Sequence, residues 1–198
     1  DIREGIAKIA SNEEIVLRVE RLSGSGELSG RKILITSGST AEAIDPIRIL
    51  TNRSSGKTGV ELALEAYRRG ADVTIVHRNK VGVAGIKEIY AESASQMTET
   101  VLEELNCGYD VLISAAAIAD YTLDPADTKI KSGGELTLHM RPTAKLVSKA
   151  REKYPNLFIA GFKAETGACL EELLKRAIHT LKTSKLDLIV ANDVKSGG

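Results

Sequence analysis

Short apolar runs alternate with longer amphipathic stretches along most of this chain. The runs KILIT (32–36), ADVTIVH (71–77), KEIYAE (87–92), DVLISAAA (110–117), NLFIAGF (156–162) and LDLIVAN (186–192) are five to eight residues long and mostly rich in β-branched residues. That pattern predicts buried strands. Residues 59–70, 95–105, 144–152 and 169–181 carry the helical period instead. Gly70 closes the first of these. In the last, Leu170, Leu173, Leu174, Ala177, Ile178 and Leu181 fall on one face. Ahead of the first strand, residues 11–22 read as a helix capped by Ser11 or Asn12, with Glu13 and Glu14 in its first turn. SGSGELSG (23–30) reads as a Gly/Ser linker. ELTLHM (135–140) alternates and predicts a separate strand, antiparallel or in a flap.

Strands that alternate with helices imply an α/β protein: a Rossmann-like, doubly wound, mostly parallel sheet with helices on both faces and an extra strand or flap. Such sheets bind ligands outside the carboxyl ends of their strands. TSGST (36–40), AAAIADY (115–121), GFKAET (161–166) and ANDV (191–194) all fall at that edge. Their convergence predicts a nucleotide-sized ligand there.

Composition narrows the choice of partner. The chain has 198 residues, 42% hydrophobic and 27% charged, with a net charge of zero. It has no basic footprint for nucleic acid or an anionic membrane surface. Aromatics are 4% and Trp is absent, which weakens base-stacking modes. No run is long enough to span a membrane. Two distant cysteines suit a reducing, cytoplasmic setting. Three histidines lack ligand spacing, so a zinc site is not expected and any metal ligands stay unknown.

Gly56-Lys57-Thr58 resembles the end of a phosphate-binding P-loop, but that pattern requires glycine where Thr51 stands. What remains, Ser54-Ser55-Gly56-Lys57 entering a helix, can cradle an anion on free N–H groups, or simply start a helix. Gly38 and Ser39 can let a phosphate approach the backbone, or form a tight turn. The sequence GxGxxG is absent. Asn52 can hold a carbonyl or oxyanion, or sit in a turn. Asp120, after Ala115-Ala116-Ala117, can accept from ribose or base, or make an Asx-turn. Lys129 and Lys131 lie in a polar, Gly-ended loop that can close on a polyphosphate or merely be solvated. No Ser-His-Asp or Cys-His arrangement is evident, so chemistry here would run on positioning and electrostatics.

Taken together, KILITSGSTAEAIDPIRILTNRSSGKTG (32–59), AAAIADY, KIKS (129–132), GFKAET and LDLIVANDV (186–194) resemble phosphopantothenate–cysteine ligase, in the family's order and over almost everything from residue 29 onward. The resemblance implies that residues 29–198 form a nucleotide-binding ligase domain, with its C-terminal tail missing. Residues 1–28 then resemble the end of a fused flavin-dependent decarboxylase and its linker, with FMN expected only in that other domain. It implies a two-step reaction. The carboxylate of 4′-phosphopantothenate attacks CTP to give an acyl-cytidylate and pyrophosphate, and the amine of L-cysteine then displaces CMP. The substrate supplies its own nucleophile, which fits the absence of one in the chain.

By resemblance, Asn52 holds the acyl-cytidylate and Lys129 neutralises triphosphate charge. Gly38, Ser39, Ala115, Ala116, Ala117, Asp120, Thr143, Ala144, Lys145, Leu146 and Phe162 are nucleotide contacts, with Lys182 and Lys185 as candidates on the last helix. Ser54, Ser55, Gly56 and Lys57 bind phosphate groups. Mg²⁺ accompanies the triphosphate, and a homodimer forms through this domain, with residues 135–140 contributing. Departures from the family pattern are Ser39, where proline is usual, and Ser132, where a further lysine often stands. Two other readings compete: an NADP- or flavin-dependent reductase, for which the basic pair His77-Arg78 would serve, and a non-catalytic nucleotide-binding module.

Overall fold

The computed structural model describes residues 10–80, 82 and 85–195. Six parallel strands form one sheet: β1 (Lys32–Ser37), β4 (Asp72–His77), β5 (Lys87–Tyr90), β6 (Val111–Ser114), β9 (Phe158–Glu165) and β10 (Leu188–Asp193). Their order across the sheet is β10-β9-β6-β1-β4-β5. Counted along the chain, this is the 3-2-1-4-5-6 order of a Rossmann-like sheet, with its switch point between β1 and β6. Two short antiparallel pairs stand apart from it. One joins β2 (Ala41–Ala43) to β3 (Ile49–Thr51), and the other joins β7 (Tyr121–Thr122) to β8 (Arg141–Pro142).

The central strand shows why the sheet is buried on both sides. Leu34 points to one face and packs with Val76, Leu112 and Ile159 against Met97 and Val101 of helix α3 (Ala94–Glu104) and Ala150 of α4 (Leu146–Lys153). Ile33 and Ile35 point to the other face, with Val73, Ile75, and Ala63, Ala66 and Tyr67 of α2 (Lys57–Arg68). Helix α2 ends as the sequence predicts. Gly70 takes φ +98, and the Gly70 and Ala71 N–H groups bond back to Tyr67 and Ala66.

Helix α1 (Asn12–Ser23) starts with a reciprocal Ser11–Glu14 capping box. It lies on α2 rather than standing apart. Leu17 is buried in the second cluster, and Arg21 donates to the carbonyls of Tyr67 and Ala71 at 2.7 and 2.6 Å. The Gly/Ser stretch after it, expected as a linker, is an ordered turn: Leu28 N–H bonds to the Arg69 carbonyl at 2.9 Å.

One expectation is corrected. Residues 135–140 alternate in sequence but form no strand, because no neighbouring strand offers them a ladder; Leu136 and Met140 are exposed. The extra pairing falls on Arg141–Pro142 instead. The six-residue apolar stripe of α5 (Leu170–Thr183) buries only Leu173 and Ala177 fully, and Leu170 is 70% exposed. This helix covers β9 and β10 at the end of the sheet, so a wide stripe overhangs it.

Candidate functional site

Because all six strands are parallel, their carboxyl ends share one edge. At the switch point the segments after β1 and β6 are stitched together. The Ala117 N–H donates to the Gly38 carbonyl at 2.7 Å. Thr36 Oγ1 accepts from Ala116 N–H at 3.2 Å, and Thr40 Oγ1 from Ala119 N–H at 2.9 Å. Thr36, Ser39 and Thr40 are buried, and these bonds pair the two threonine hydroxyls. Sequence reasoning missed both threonines because a β-branched residue at a strand end reads as strand packing.

The amino end of α2 is brought tightly against β1. Gly56 takes φ +80, and a Cβ there would meet the Gly38 nitrogen at 2.9 Å. A Cβ on Gly59 would meet Ser37 Oγ at 2.5 Å. Ser37 Oγ donates to the Gly56 carbonyl at 2.8 Å. Gly38 also has φ +80, but nothing lies within 4 Å of where its Cβ would be, so its outer side is open. Helix α2 has no side-chain cap. These glycines do what a GxGxxG loop does, namely allow the turn and the close helix–strand approach. They escape that pattern because the β2–β3 hairpin is inserted between Gly38 and Gly56.

That hairpin carries Asn52 to the switch point. Thr51 Oγ1 donates to the Thr40 carbonyl at 2.7 Å, and Asn52 Nδ2 to the Ala117 carbonyl at 3.1 Å. Ser54, Ser55 and Lys57 follow at the start of α2, where Lys57 N–H reaches Ser55 Oγ at 3.4 Å.

A cavity of about 220 Å³ opens beyond β6. Ala116, Ala117, Asp120, Thr143, Lys145 and Phe162 are among its walls, and the amino end of α4 closes one side. Ala115 lies within the stitched segment leading to it, and Ala144 and Leu146 also line it. Thr143 is fixed by its N–H on the Asp120 carbonyl at 2.9 Å and its hydroxyl on the Ala119 carbonyl at 2.6 Å. Asp120 and Lys145 form an exposed ion pair at the mouth. Such a pair is weak in water and can open for a ligand.

Lys182 and Lys185 do not line this cavity. Lys182 lies on a separate groove of α5 with Lys163, Lys175 and Arg176, and Lys185 follows the helix end at φ +50. Thr180 is the α5 residue that reaches the cavity wall beside Phe162. Helical period separates the two: Lys182 is two residues on, a rotation of about 200°, which turns it to nearly the opposite side of the helix.

GFKAET and ANDV belong to the ends of β9 and β10 rather than to loops beyond them. Hydrogen bonding from Lys163 is the main cause holding the Glu165 carboxyl below its usual pKa; burial opposes this and Arg176 assists. The N–H groups of Lys195 and Gly167 do the same for Asp193. The basic pair at the end of β4 is already engaged. His77, buried, stands with Nε2 2.9 Å from Glu88 Oε2, and Arg78 Nε donates to the Ser39 carbonyl at 3.1 Å. A larger groove of about 890 Å³ lies at the opposite, amino edge of the sheet. Its carboxylate, Asp110, is paired with Arg31 and with Lys32 N–H, and the convergent glycines and free helix ends are at the other edge.

A parallel sheet with stitched switch-point loops, a glycine-packed helix start and an adjoining cavity defines a Rossmann-like α/β domain with room at its switch point for a phosphorylated, nucleotide-sized ligand. The chain belongs to the family described as the DNA/pantothenate metabolism flavoprotein C-terminal domain, whose model matches residues 28–198. It is 46% identical over 199 residues to the coenzyme A biosynthesis bifunctional protein CoaBC of Thermococcus kodakarensis, covering 98% of this chain and 49% of that protein. The chain thus spans about half the length of the curated relatives it matches. A crystal structure of the C-terminal domain of a CoaBC protein superposes with a TM-score of 0.74 at 32% identity, over 86% of this chain and 81% of that one. A mutant Cab2 in complex with phosphopantothenate-cysteine shares the fold at a TM-score of 0.71 and 17% identity, over 94% and 81% of the two chains.

Proposed function

We propose that this chain carries the ligase activity of coenzyme A biosynthesis. It would join 4′-phosphopantothenate to L-cysteine through an acyl-cytidylate made from CTP. The observation that carries this reading is the placement of Asn52. The inserted hairpin holds its amide on the Ala117 carbonyl, between the glycine-packed start of α2 and the cavity wall. A phosphate group fits the first site and a nucleoside the second, so an acyl phosphate ester bridging them passes Asn52. Its second N–H suits the oxygen that gains charge when an amine attacks the acyl carbon. Asp120 and Lys145 suit the nucleoside, and Gly38 and Ser39 the phosphates. Lys129, exposed on its loop, suits the triphosphate. Positioning and electrostatics carry the reaction, with no protein nucleophile required.

Among the described residues no three His, Cys, Asp or Glu side chains gather into a metal-binding group. Mg²⁺ needs no such cage when phosphate oxygens and water supply most of its shell, so the residues present fit a metal that arrives with the nucleotide. When bound, it would offset phosphate charge. The engaged His77 and Arg78 offer no free basic pair for a 2′-phosphate, which disfavours the reductase reading.

The assembly proposed around this domain is a fused FMN-dependent decarboxylase ahead of residue 29, with residues 1–28 as its end and linker. The partners proposed are a second copy of the chain, reached through the exposed 135–140 segment, and no nucleic acid or membrane. No described helix is long and apolar enough to cross a membrane, and the setting proposed is cytoplasmic. The test is product formation, read by mass spectrometry in mixtures lacking one component at a time. The amide should appear only when CTP, 4′-phosphopantothenate and cysteine are all present. Amide formation with ATP alone, or none with CTP, would contradict the reading.

A further inference from the structure

The tip of the β2–β3 hairpin does more than turn the chain. Asp45 is buried, and its Oδ1 accepts the N–H groups of Ile47 and Arg48, both at 2.9 Å. Its Oδ2 accepts Arg48 Nε at 2.9 Å and, from across the molecule, the Ile130 N–H at 3.1 Å. Arg48 Nη2 donates in turn to the Ile130 carbonyl at 2.5 Å. One ion pair therefore grips both the backbone donor and the backbone acceptor of a single residue in the 129–132 loop. A second bond, Ala126 N–H to the Ile44 carbonyl at 2.9 Å, fastens the segment leading into that loop. Ile130 lies between the exposed Lys129 and Lys131. At its other end the hairpin delivers Thr51 and Asn52 to the switch point. Burial works to raise the Asp45 pKa, but the three N–H groups and the guanidinium outweigh it and hold the carboxyl ionised, well below the usual range.

We propose that Asp45 and Arg48 are positioning residues that clamp the backbone at Ile130 and so fix where Lys129 acts, a role that rests on the ligase reading above. Lys and Arg loops are expensive to order, and a clamp already made spends that cost before substrate arrives. The hairpin then couples the two halves of the reaction: its tip holds the triphosphate lysine and its base holds Asn52.

Asp45→Asn separates the two jobs of this side chain. Its amide oxygen can still accept from Ile47 and Arg48 and keep the turn, but an NH₂ now faces the Ile130 N–H and the Arg48 Nε–H. In the full chain, trypsin cleavage after Lys129 and Lys131 should rise about tenfold in this variant. Cleavage after Lys185, whose carbonyl is held by Arg151, reports global opening and should not change. An equal rise at all three sites, or no rise at the loop, would overturn the clamp.

The kinetic arm uses nucleotide-dependent pyrophosphate release. Asp45→Asn should lower kcat with little change in the KM for CTP. The double variant with Lys129→Ala should be no slower than Lys129→Ala alone. Losses that multiply would overturn an action through Lys129. If Lys129→Ala itself has no effect, the ligase assignment of that lysine falls, while the protease arm still decides whether the clamp exists.

Discussion

Gly59→Ala places a methyl group where α2 crosses the end of β1. The new Cβ would stand 2.5 Å from Ser37 Oγ, 2.6 Å from Ser37 Cβ and 3.0 Å from Ser37 Cα. Carbon atoms prefer separations of about 3.5–4.0 Å, so the overlap is roughly 1 Å. Ser37 cannot swing aside, since it is buried in the central strand and bonded to the Gly56 carbonyl. Overpacking of this kind costs about 1–3 kcal/mol. Replacing glycine in a helix returns up to about 1 kcal/mol. With an unyielding strand at the contact, the net loss should be about 1–2 kcal/mol. For a domain of this size that lowers Tm by about 2–8 °C. The assay is thermal unfolding by circular dichroism, followed by calorimetric binding of pyrophosphate, which should weaken as α2 is pushed off β1. Ser37→Gly removes two of the three clashing atoms, so the double variant should be less destabilised than the sum of the singles. A Gly59→Ala protein with a raised Tm would refute the close-approach argument, because that is how a glycine in an uncrowded helix responds.

Asn52→Ala should leave CTP binding intact but slow amide formation about 100-fold or more; quench-flow separation of cytidylate formation from its consumption checks it. Asp45 has a depressed pKa when folded, so its contribution to stability is present above its unfolded pKa near 4 and fades as pH falls toward the folded value. Urea midpoints measured from pH 6 down to pH 3 should therefore drop more steeply in the wild type than in Asp45→Asn. Small-angle scattering at micromolar protein should return the mass of a dimer, and Leu136→Glu in the exposed segment should shift it toward the monomer.

The period of the apolar positions made most of the sheet and its helices legible, because the inner strands β1 and β4 are buried on both faces and the helices each bury one face. Strand order was not legible, since nothing local distinguishes β5 from β6. The β2–β3 hairpin escaped because three-residue strands carry no readable period. Yet Asp45 followed by a proline is an Asx-turn signal, and it marked the place. Residues 135–140 alternate like a strand, but a ladder needs a partner that alternation cannot report. On α5 the period places six apolar residues on one face but cannot say how many are buried, and a helix at the sheet's end has fewer strands to cover it. The glycine packing of α2 was half visible: Gly56 could be named from its loop, whereas Gly59 needed Ser37 brought beside it. Thr180 was hidden for the same reason, while the lysines near it were named from the family resemblance alone.

The central claim is that a carboxylate is activated by CTP in this crevice. Pyrophosphate release should therefore be measured with CTP and Mg²⁺, with and without 4′-phosphopantothenate, before any cysteine is added. Release that requires phosphopantothenate and precedes cysteine is the predicted result. Release that ignores phosphopantothenate, or that begins only with cysteine, would contradict it.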